Sequence, residues 1–265
     1  MTVRDLVQWI DARAPFDTQP DFDNSGLLVG DPAAAVRGVL FALDATLPVI
    51  DEAVRLGANV LITHHPLLFS PVRRVLENDT EGRRVRALIR HDIHLIACHI
   101  PLDLAVGGTN DVLARLLELQ NIGIDEYLRY GDLPHAMTAS DFAALCAERL
   151  RTTVRVMGQG NPLLHRIGLV TGAGSEWDLA QAHGCDGFVT GEIKHHIALA
   201  ACETGMTVFE CGHHATEEPG IFALADALQT YANQVQWKGC IAKSQAGAYP
   251  ALPPHAIEEG KPWNN

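Results

Sequence analysis

The stretch Val60-Leu-Ile-Thr-His-His-Pro66 is a short apolar run that ends in two adjacent histidines. An uninterrupted apolar run of this length is typical of a strand that is buried on both faces of a parallel sheet. It follows a helical stretch and Gly57, and glycine is the residue expected just beyond a helix end. The sequence therefore predicts a helix, a turn and a buried strand. The two imidazoles fall at the carboxyl end of that strand, where open α/β sheets bind ligands.

The same unit occurs a second time about 127 residues later in the chain. Each copy contains a glycine turn followed by an apolar strand that ends in threonine, and one strand before and one after it also align. The downstream match has an offset shorter by about 14 residues, which places an insertion in the first copy between residues 66 and 89. The aligned stretches are Val39–Asp44 with Ile167–Thr171, Arg55–Thr63 with Ala182–Thr190, and Asp92–Cys98 with Gly205–Cys211.

Strands that alternate with helices predict parallel sheets, so we expect an α/β fold of two similar lobes. Chance alignment of generic βα patterns is the competing interpretation. We predict lobes at residues 1–127 and 128–243, and a mobile tail at residues 244–265, which contain four prolines and little periodicity. Thr2 is the predicted N-cap of a first helix that runs to Ala12, and Ser140 is the predicted N-cap of a helix in the second lobe.

Composition and charge narrow the classes of function. The 265 residues are 47% apolar and 20% charged, which is typical of a globular protein. The net charge of −12 and the pI near 5.4 argue against nucleic acid as a partner. No apolar run approaches the roughly 18–20 residues that span a bilayer, and the first residues do not resemble a signal peptide. Six cysteines without a C-x-x-C pair are typical of reduced thiols. We expect a cytoplasmic protein with no membrane partner.

The adjacent histidines His64 and His65 are the first candidate site. Successive side chains of a strand point to opposite faces, so both imidazoles reach one site only if the chain turns there. Pro66 favours such a departure from the strand. The competing interpretation is a pair of loop histidines that bind only backbone groups and water.

A second pair, His213 and His214, follows the matching strand of the second copy and precedes Glu217. On a helix, a nitrogen ligand and a carboxylate share a face at a spacing of either three or four residues. The sequence therefore leaves open whether His213 or His214 pairs with Glu217. It also leaves open a purely structural role, in which Thr216 caps the helix and the glutamates favour its dipole.

The third candidate element is Cys98-His-Ile-Pro-Leu-Asp103, just beyond the third strand of the first copy. If the three strand edges converge, they bring together more nitrogen and oxygen ligands than one four-coordinate ion needs. Such ligands suit zinc, manganese, iron, cobalt or nickel, and bridging carboxylates suit two ions. Two divalent ions lower the pKa of a shared water, so the chemistry predicted is hydrolysis. The candidate ligands are His64, His65, Asp103, His213 and Glu217, with the choice between His213 and His214 still open.

Weaker signals surround these residues. Glu192 aligns with the His64-His65 pair in the other copy, and we take Glu192 and His99 as the candidates for moving protons. The loop at residues 107–110 could offer amides to an anion, although such a capped glycine loop is common. A group of arginines could hold phosphates, although a solvated helix face is the commoner explanation. They are Arg73, Arg74, Arg83, Arg84, Arg86 and Arg90.

Six motifs, in order over roughly residues 1–240, resemble the Nif-three-like family, also known as GTP cyclohydrolase 1 type 2 homologues. The motifs are Asp23-Asn-Ser-Gly-Leu27, Thr63-His-His-Pro66, His99-Ile-Pro-Leu-Asp103, Gly108-Thr-Asn-Asp111, Thr190-Gly-Glu-Ile-Lys-His195 and Gly212-His-His-Ala-Thr-Glu217. The resemblance implies two related α/β lobes with a dinuclear metal site in the cleft between them, and a ring-shaped homohexamer. It also implies that His213, rather than His214, is the ligand.

The function that follows is a metal-dependent hydrolase that acts on a nucleotide or a related heterocycle, as a GTP cyclohydrolase does on C–N bonds. The alternative is a metal-binding, metal-trafficking or scaffold protein without turnover. This sequence differs from some relatives because only about 127 residues separate its two copies, which leaves no room for a long inserted domain. It also departs from the family pattern after about residue 238.

Overall fold

The chain folds into two mixed β-sheets flanked by helices in a computed structural model that describes residues 1–246. The strands are β1 (Gly26–Val29), β2 (Gly38–Ala42), β3 (Val60–Thr63), β4 (His94–Ala97), β5 (Gln120–Asp125), β6 (Leu128–Thr138), β7 (Arg155–Met157), β8 (Leu163–Val170), β9 (Gly187–Thr190), β10 (Thr207–Glu210) and β11 (Cys240–Lys243). The helices are α1 (Val3–Asp11), α2 (Leu47–Leu56), α3 (Thr80–Arg90), α4 (Ile100–Leu104), α5 (Thr109–Leu116), α6 (Ala139–Leu150), α7 (Trp177–Ala182), α8 (His195–Glu203) and α9 (His213–Gln234), with a 3-10 turn at Phe16–Thr18.

The first sheet has the order β1-β4-β3-β2-β11. Strands β4, β3, β2 and β11 are parallel, and β1 is antiparallel to β4. Alternate residues of β2 enter different cores, because successive side chains of a strand face opposite ways. Val39 and Phe41 pack with α1 and α9, whereas Leu40 packs with α2 and α3. The sheet is thus covered on both faces, as its continuous apolar strands predict.

The second sheet has the order β5-β6-β8-β9-β10-β7. Its parallel centre, β8-β9-β10, repeats the β2-β3-β4 arrangement of the first sheet. Phe209 packs among α5 and α6 on one face, and Phe188 packs among α7 and α8 on the other. Both Thr63 and Thr190 end their strands as the repeat predicts. The predicted fold of two similar α/β halves is confirmed.

Helix α9 connects the two halves. It begins directly beyond β10 of the second sheet, and its later residues Ile221, Leu224 and Leu228 are buried in the core of the first. The chain then adds β11 beside β2. The two sheets therefore do not divide the chain at the expected boundary, residues 127–128. Strand β5, before that boundary, belongs to the second sheet, whereas α9 and β11, after it, complete the first half.

The structure shows the N-caps of the two helices for which the sequence predicted one. Thr2 caps α1 and forms a capping box with Asp5, as predicted. The N-cap of α6 is Thr138 rather than Ser140, because the Thr138 hydroxyl accepts a hydrogen bond from the Asp141 amide.

The predicted start of the mobile tail, at residue 244, is too early in the chain. Ser244 is buried, and its hydroxyl and the amides of Gln245 and Ala246 donate to the Glu52 carboxylate of α2. Residues 247–265 lie outside the described residues. In the part of the chain that the structure describes, no helix is both long and apolar enough to cross a membrane.

Candidate metal site

The carboxyl ends of β2, β3 and β4 lie side by side because these strands are parallel. Asp44 follows β2, His64 and His65 follow β3, and His99 follows β4. The backbone leaves β3 after Thr63, whose hydroxyl donates to the His65 carbonyl. This turn lets both adjacent imidazoles reach the same place, as the sequence pattern requires.

The second half supplies the facing residues from the start of α9. Gly212 precedes this helix with φ +86°, a conformation that favours glycine. His213 and Glu217 then lie one turn apart, and His213 Nε2 is 3.0 Å from Glu217 Oε2. His214 points to Glu218 instead, with 3.3 Å between its Nε2 and Oε1. The geometry directs His213, and not His214, at the residues that follow β3.

The imidazoles and carboxylates converge in one cluster. His65 Nε2 lies 3.0 Å from Glu217 Oε2 and 3.3 Å from His213 Nε2. His64 Nε2 lies 3.5 Å from Asp103 Oδ1 and 3.7 Å from Glu217 Oε1. Ligand atoms of the group His65, His213 and Glu217 are all within 4.8 Å of one another. The structure brings together all five predicted metal ligands.

His99 also belongs to this cluster. Its ring centroid is 5.2 Å from that of His64 and 5.6 Å from that of His65. One ligand atom from each of His64, His65 and His99 lies within 4.8 Å of the other two. His65 is therefore common to two overlapping groups of three, so the cluster has donors for more than one ion.

Each imidazole is oriented through its Nδ1. His64 Nδ1 is 2.8 Å from the Cys98 carbonyl oxygen, and His65 Nδ1 is 2.8 Å from Asp44 Oδ1. His99 Nδ1 is 2.7 Å from Asp23 Oδ1, and His213 Nδ1 is 3.1 Å from Glu192 Oε1. A proton on Nδ1 fixes the tautomer and leaves Nε2 as the donor to a metal, which is the usual support of a metal-binding histidine.

Two contacts position the carboxylates. The Thr109 hydroxyl donates to Asp103 Oδ1. Glu217 packs against the backbone of Gly172, where φ is +63° and an added Cβ would lie 2.1 Å from Glu217 Oε1. Any other residue would be strained by this φ and would push the Glu217 carboxylate away.

The cluster favours positive charge at its centre. Burial alone would lower the pKa of His65, but the neighbouring carboxylates of Asp44 and Glu217 raise it to about 10. Burial opposes ionisation of Glu217, yet the neighbouring imidazoles hold its pKa well below the usual value. Burial raises the pKa of Asp103, although His64 partly offsets the effect. The carboxylates thus stabilise cations among these nitrogens.

The donor set fits divalent metal ions. His64 Nε2 and Glu217 Oε2 are buried and have no hydrogen-bond partner within residues 1–246. Leaving such atoms without partners costs about 1–3 kcal/mol each. The short distances from these two atoms to neighbouring imidazole nitrogens and carboxylate oxygens do not have hydrogen-bond geometry. Imidazole nitrogen and carboxylate oxygen are ligands for zinc, manganese, iron, cobalt and nickel, so an ion would satisfy both atoms.

The cluster opens into a cavity of 490 Å³. His65, His99, His213 and Glu217 line it, together with Phe22 and Tyr127 at the aromatic part of its wall. Such a cavity has the size and the mixed lining of a small-molecule site.

Sequence reasoning missed the two carboxylates that orient the rings. Asp23 lies in a motif that gives it no role, and no motif singles out Asp44. The signal for Asp44 is its place directly after a parallel strand, next to the edge that carries His64 and His65. Glu192 lies against His213 rather than free in the cleft.

Comparison with known proteins identifies relatives along nearly the whole chain. The sequence profile described as Duf34/NIF3 (NGG1p interacting factor 3) matches residues 1–248. A "GTP cyclohydrolase 1 type 2 homolog" of Streptomyces coelicolor is 32% identical over 249 residues, covering 88% of this chain and 87% of that protein. The protein of the same name from Haemophilus influenzae is 31% identical, with 88% and 96% covered.

Solved structures with the same fold include the Staphylococcus aureus hypothetical protein SA1388, with 32% identity and a TM-score of 0.89. That similarity covers 96% of this chain and 99% of the other. The structure of TTHA1606 from Thermus thermophilus has 28% identity and a TM-score of 0.80, covering 94% and 100%.

Proposed function

This chain belongs to the Duf34/NIF3 family, and from that premise we propose that it is a hydrolase that uses two divalent metal ions to act on a nucleotide or a related heterocycle. The observation that carries the proposal is the convergence of imidazole Nε2 atoms and two carboxylates on one cavity. Two atoms of that cluster, His64 Nε2 and Glu217 Oε2, are buried without partners among the described residues.

The residues that would hold the ions are the five predicted ligands. When bound, two such ions lower the pKa of water and polarise the bond that is to be cleaved. The ligands are His64, His65, Asp103, His213 and Glu217.

The remaining residues orient groups and hold protons. Asp44 and Glu192 each hold the Nδ1 proton of an imidazole, so that the Nε2 atoms of His65 and His213 stay free of protons in the working enzyme. Asp23 does the same for His99, which lines the cavity. His99 Nε2 can therefore accept a proton from a molecule bound there and return it to a leaving nitrogen.

The cavity wall supports a flat ring as the substrate. Phe22 and Tyr127 line it, and the side chain of Phe22 is 64% exposed and free to be covered by a ligand. Aromatic side chains prefer to stack against other rings. The relatives' name points to the same class, since a GTP cyclohydrolase acts on a purine nucleotide.

The test combines metal analysis with turnover. We expect about two equivalents of a transition metal in the wild-type protein, and turnover of GTP or another nucleotide with that metal. Asp103→Ala and Glu217→Ala should lose metal and turnover, whereas His214→Ala, next to the cluster but directed away from it, should keep both. Unchanged turnover in the first two variants would remove the metal from the reaction.

A second candidate function is metal binding or trafficking without turnover, or a scaffold. It is favoured by one observation: the outer carboxylates that touch these imidazoles, Asp23, Asp44 and Glu192, are each already bound to one of them. None of these three is free to act as a general base. Readily exchanged metal, with no turnover of any nucleotide, would favour this function over the hydrolase.

We also propose a ring-shaped homohexamer in the cytoplasm. Exposed apolar side chains on and before α3, including Phe69, Leu76 and Ile89, support an interface there. All six cysteines are free thiols, which suits a reducing compartment. Sedimentation should give about six times the 28.7 kDa of the chain; a monomeric mass would contradict the hexamer.

A further inference from the structure

The motif Gly108-Thr-Asn-Asp111 begins α5, and none of its side chains belongs to the predicted metal ligands. Thr109 and Asn110 are nevertheless fully buried. Polar side chains are seldom buried completely, and those that are have specific hydrogen-bond partners. The partners of these two side chains therefore indicate what the motif holds in place.

The Asn110 amide binds to both halves of the fold. Its Nδ2 donates to the Asp103 carbonyl oxygen at 3.0 Å, which holds the backbone of a predicted ligand in α4. Its Oδ1 accepts hydrogen bonds from the Thr171 backbone N–H at 2.8 Å and from the Thr171 hydroxyl at 3.1 Å. Thr171 directly follows β8 of the second sheet. One side chain thus joins α4, which follows the first sheet, to a strand end of the second.

Thr109 contacts the elements that carry both acidic ligands. Its hydroxyl donates to Asp103 Oδ1. Its backbone packs against α9, where a Cβ added at Gly220 would lie 2.6 Å from the Thr109 Cα. Gly220 lies three residues beyond Glu217 on the same helix. Such a close approach of two backbones requires a residue without a side chain, so the start of α5 is fixed against α9.

Thr171 extends this connection to Glu217. The next residue, Gly172, packs against the Glu217 carboxylate. The Gly172 N–H also donates to the Thr216 hydroxyl at 3.1 Å, and Thr216 directly precedes Glu217 in α9. Because Thr171 and Gly172 are adjacent, a shift of Thr171 would move the backbone against which Glu217 packs.

We infer that Asn110 is a positioning residue that sets the separation between the Asp103 and Glu217 carboxylates. Asp103 reaches the cluster from the first half and Glu217 from the second, and the two sheets share no strand within residues 1–246. The Asn110 Oδ1 already accepts two hydrogen bonds, so its role is to hold ligands and not to be one. The inference rests on the proposed function for its metal ions, but it does not require turnover.

The test is titration of the purified full-length protein with Co²⁺ in competition with a chelator. Metal ligands must be held within roughly 0.5 Å of their productive positions. We therefore expect Asn110→Ala to bind Co²⁺ about 10–100-fold more weakly than the wild type, the range found when groups that support ligands are removed. The visible absorption of the bound Co²⁺ should also change, because it depends on the coordination geometry.

The matched control is Asn59→Ala. Asn59 is 1% exposed, and its amide also joins two backbone groups. Its Nδ2 donates to the Ala35 carbonyl oxygen at 2.9 Å, and its Oδ1 accepts the Arg37 N–H at 2.7 Å. It directly precedes β3, at the opposite end of that strand from His64. Both variants should lower the stability of the metal-free protein in denaturant, but Asn59→Ala should keep the wild-type Co²⁺ affinity and absorption.

Equal Co²⁺ affinities and spectra for Asn110→Ala and Asn59→Ala would overturn the inference, because a merely structural asparagine predicts that result. If Asn110→Ala does not fold, Thr171→Val takes its place. It removes the hydroxyl that donates to Asn110 and keeps the branched shape, so it should weaken Co²⁺ binding about two- to tenfold. Wild-type affinity in Thr171→Val would then overturn the inference.

The same measurements separate this inference from the proposed function. Co²⁺ binding that depends on Asn110, without turnover of any nucleotide by the wild type, would support the inference and overturn the hydrolase. Turnover together with Co²⁺ binding that is independent of Asn110 would do the reverse. A wild-type protein that binds no Co²⁺ would overturn both.

Discussion

Replacing Gly172 with alanine should move the Glu217 carboxylate without substituting any of the predicted ligands. The alanine Cβ would lie 2.1 Å from Glu217 Oε1, and φ at this position is +63°. An ordinary contact of 3.4 Å requires the carboxylate to retreat by about 1.3 Å. Glu217 is 4% exposed, so it has little space for that retreat.

The displacement exceeds the roughly 0.5 Å within which metal ligands must be held. We therefore expect metal affinity to fall about 10–100-fold, the range found when groups that position ligands are altered. The left-handed backbone adds a cost of about 1–2 kcal/mol to the free energy of folding. Affinity is measured by competition with a chelator, and stability by denaturant unfolding of the metal-free protein.

The matched control is Gly184→Ala. Gly184 has φ +73°, and nothing lies within 4 Å of an added Cβ among the described residues. It carries the backbone cost alone, so its stability should fall by about 1–2 kcal/mol with unchanged metal affinity. If Gly172→Ala binds metal as tightly as Gly184→Ala does, the argument that Gly172 positions Glu217 is refuted.

Asp44→Asn should weaken metal binding about 10–100-fold by releasing the His65 ring, measured by the same competition; unaltered affinity would show that Asp44 does not orient it. Burial opposes ionisation of Glu52, but hydrogen bonds from the segment after β11 lower its pKa from 4.5. Its carboxylate therefore stabilises the fold above pH 4.5, and this stabilisation is lost as the pH falls through the lowered pKa. Denaturant unfolding should show wild type more stable than Glu52→Gln at about pH 7 and a shrinking gap at more acidic pH; a constant gap would contradict this. Arg129 is fully buried and paired with Asp111, so Arg129→Met should lower the free energy of unfolding by about 3–5 kcal/mol in denaturant unfolding. The double variant with Asp111→Leu should recover much of that loss.

The strand ends were predictable from the sequence because the apolar runs are short and bounded. Thr63 and Thr190 end β3 and β9, and the residues after them belong to the site. The choice between His213 and His214 was not predictable from spacing alone. It depends on the point at which Gly212 starts α9, which sets the side of the helix that each histidine faces.

The hairpin of β5 and β6 shows the opposite case. Gly131 and Pro134 interrupt the stretch at residues 128–138, so the local pattern does not predict a long strand there. The structure forms an 11-residue strand there, with a shift of register between Asp132 and Met137. This strand is supported by pairing with β8, which is distant in sequence, and with β5, whose own sequence is also a weak strand pattern. Tertiary pairing overrides local preference in such strands.

The order of synthesis gives α9 a further consequence. The first half of the chain emerges from the ribosome with β2 as an unpaired edge, and with Val3 and Leu6 of α1 lacking the partners that later bury them. Those partners, from Ile221 to Lys243, are synthesised more than 120 residues after the end of β4. At about 5–20 residues per second, the first sheet waits roughly 7–30 seconds for its completion. The half that is translated first is therefore finished last, and it is the half exposed longest to chaperones and to mispairing at a strand edge.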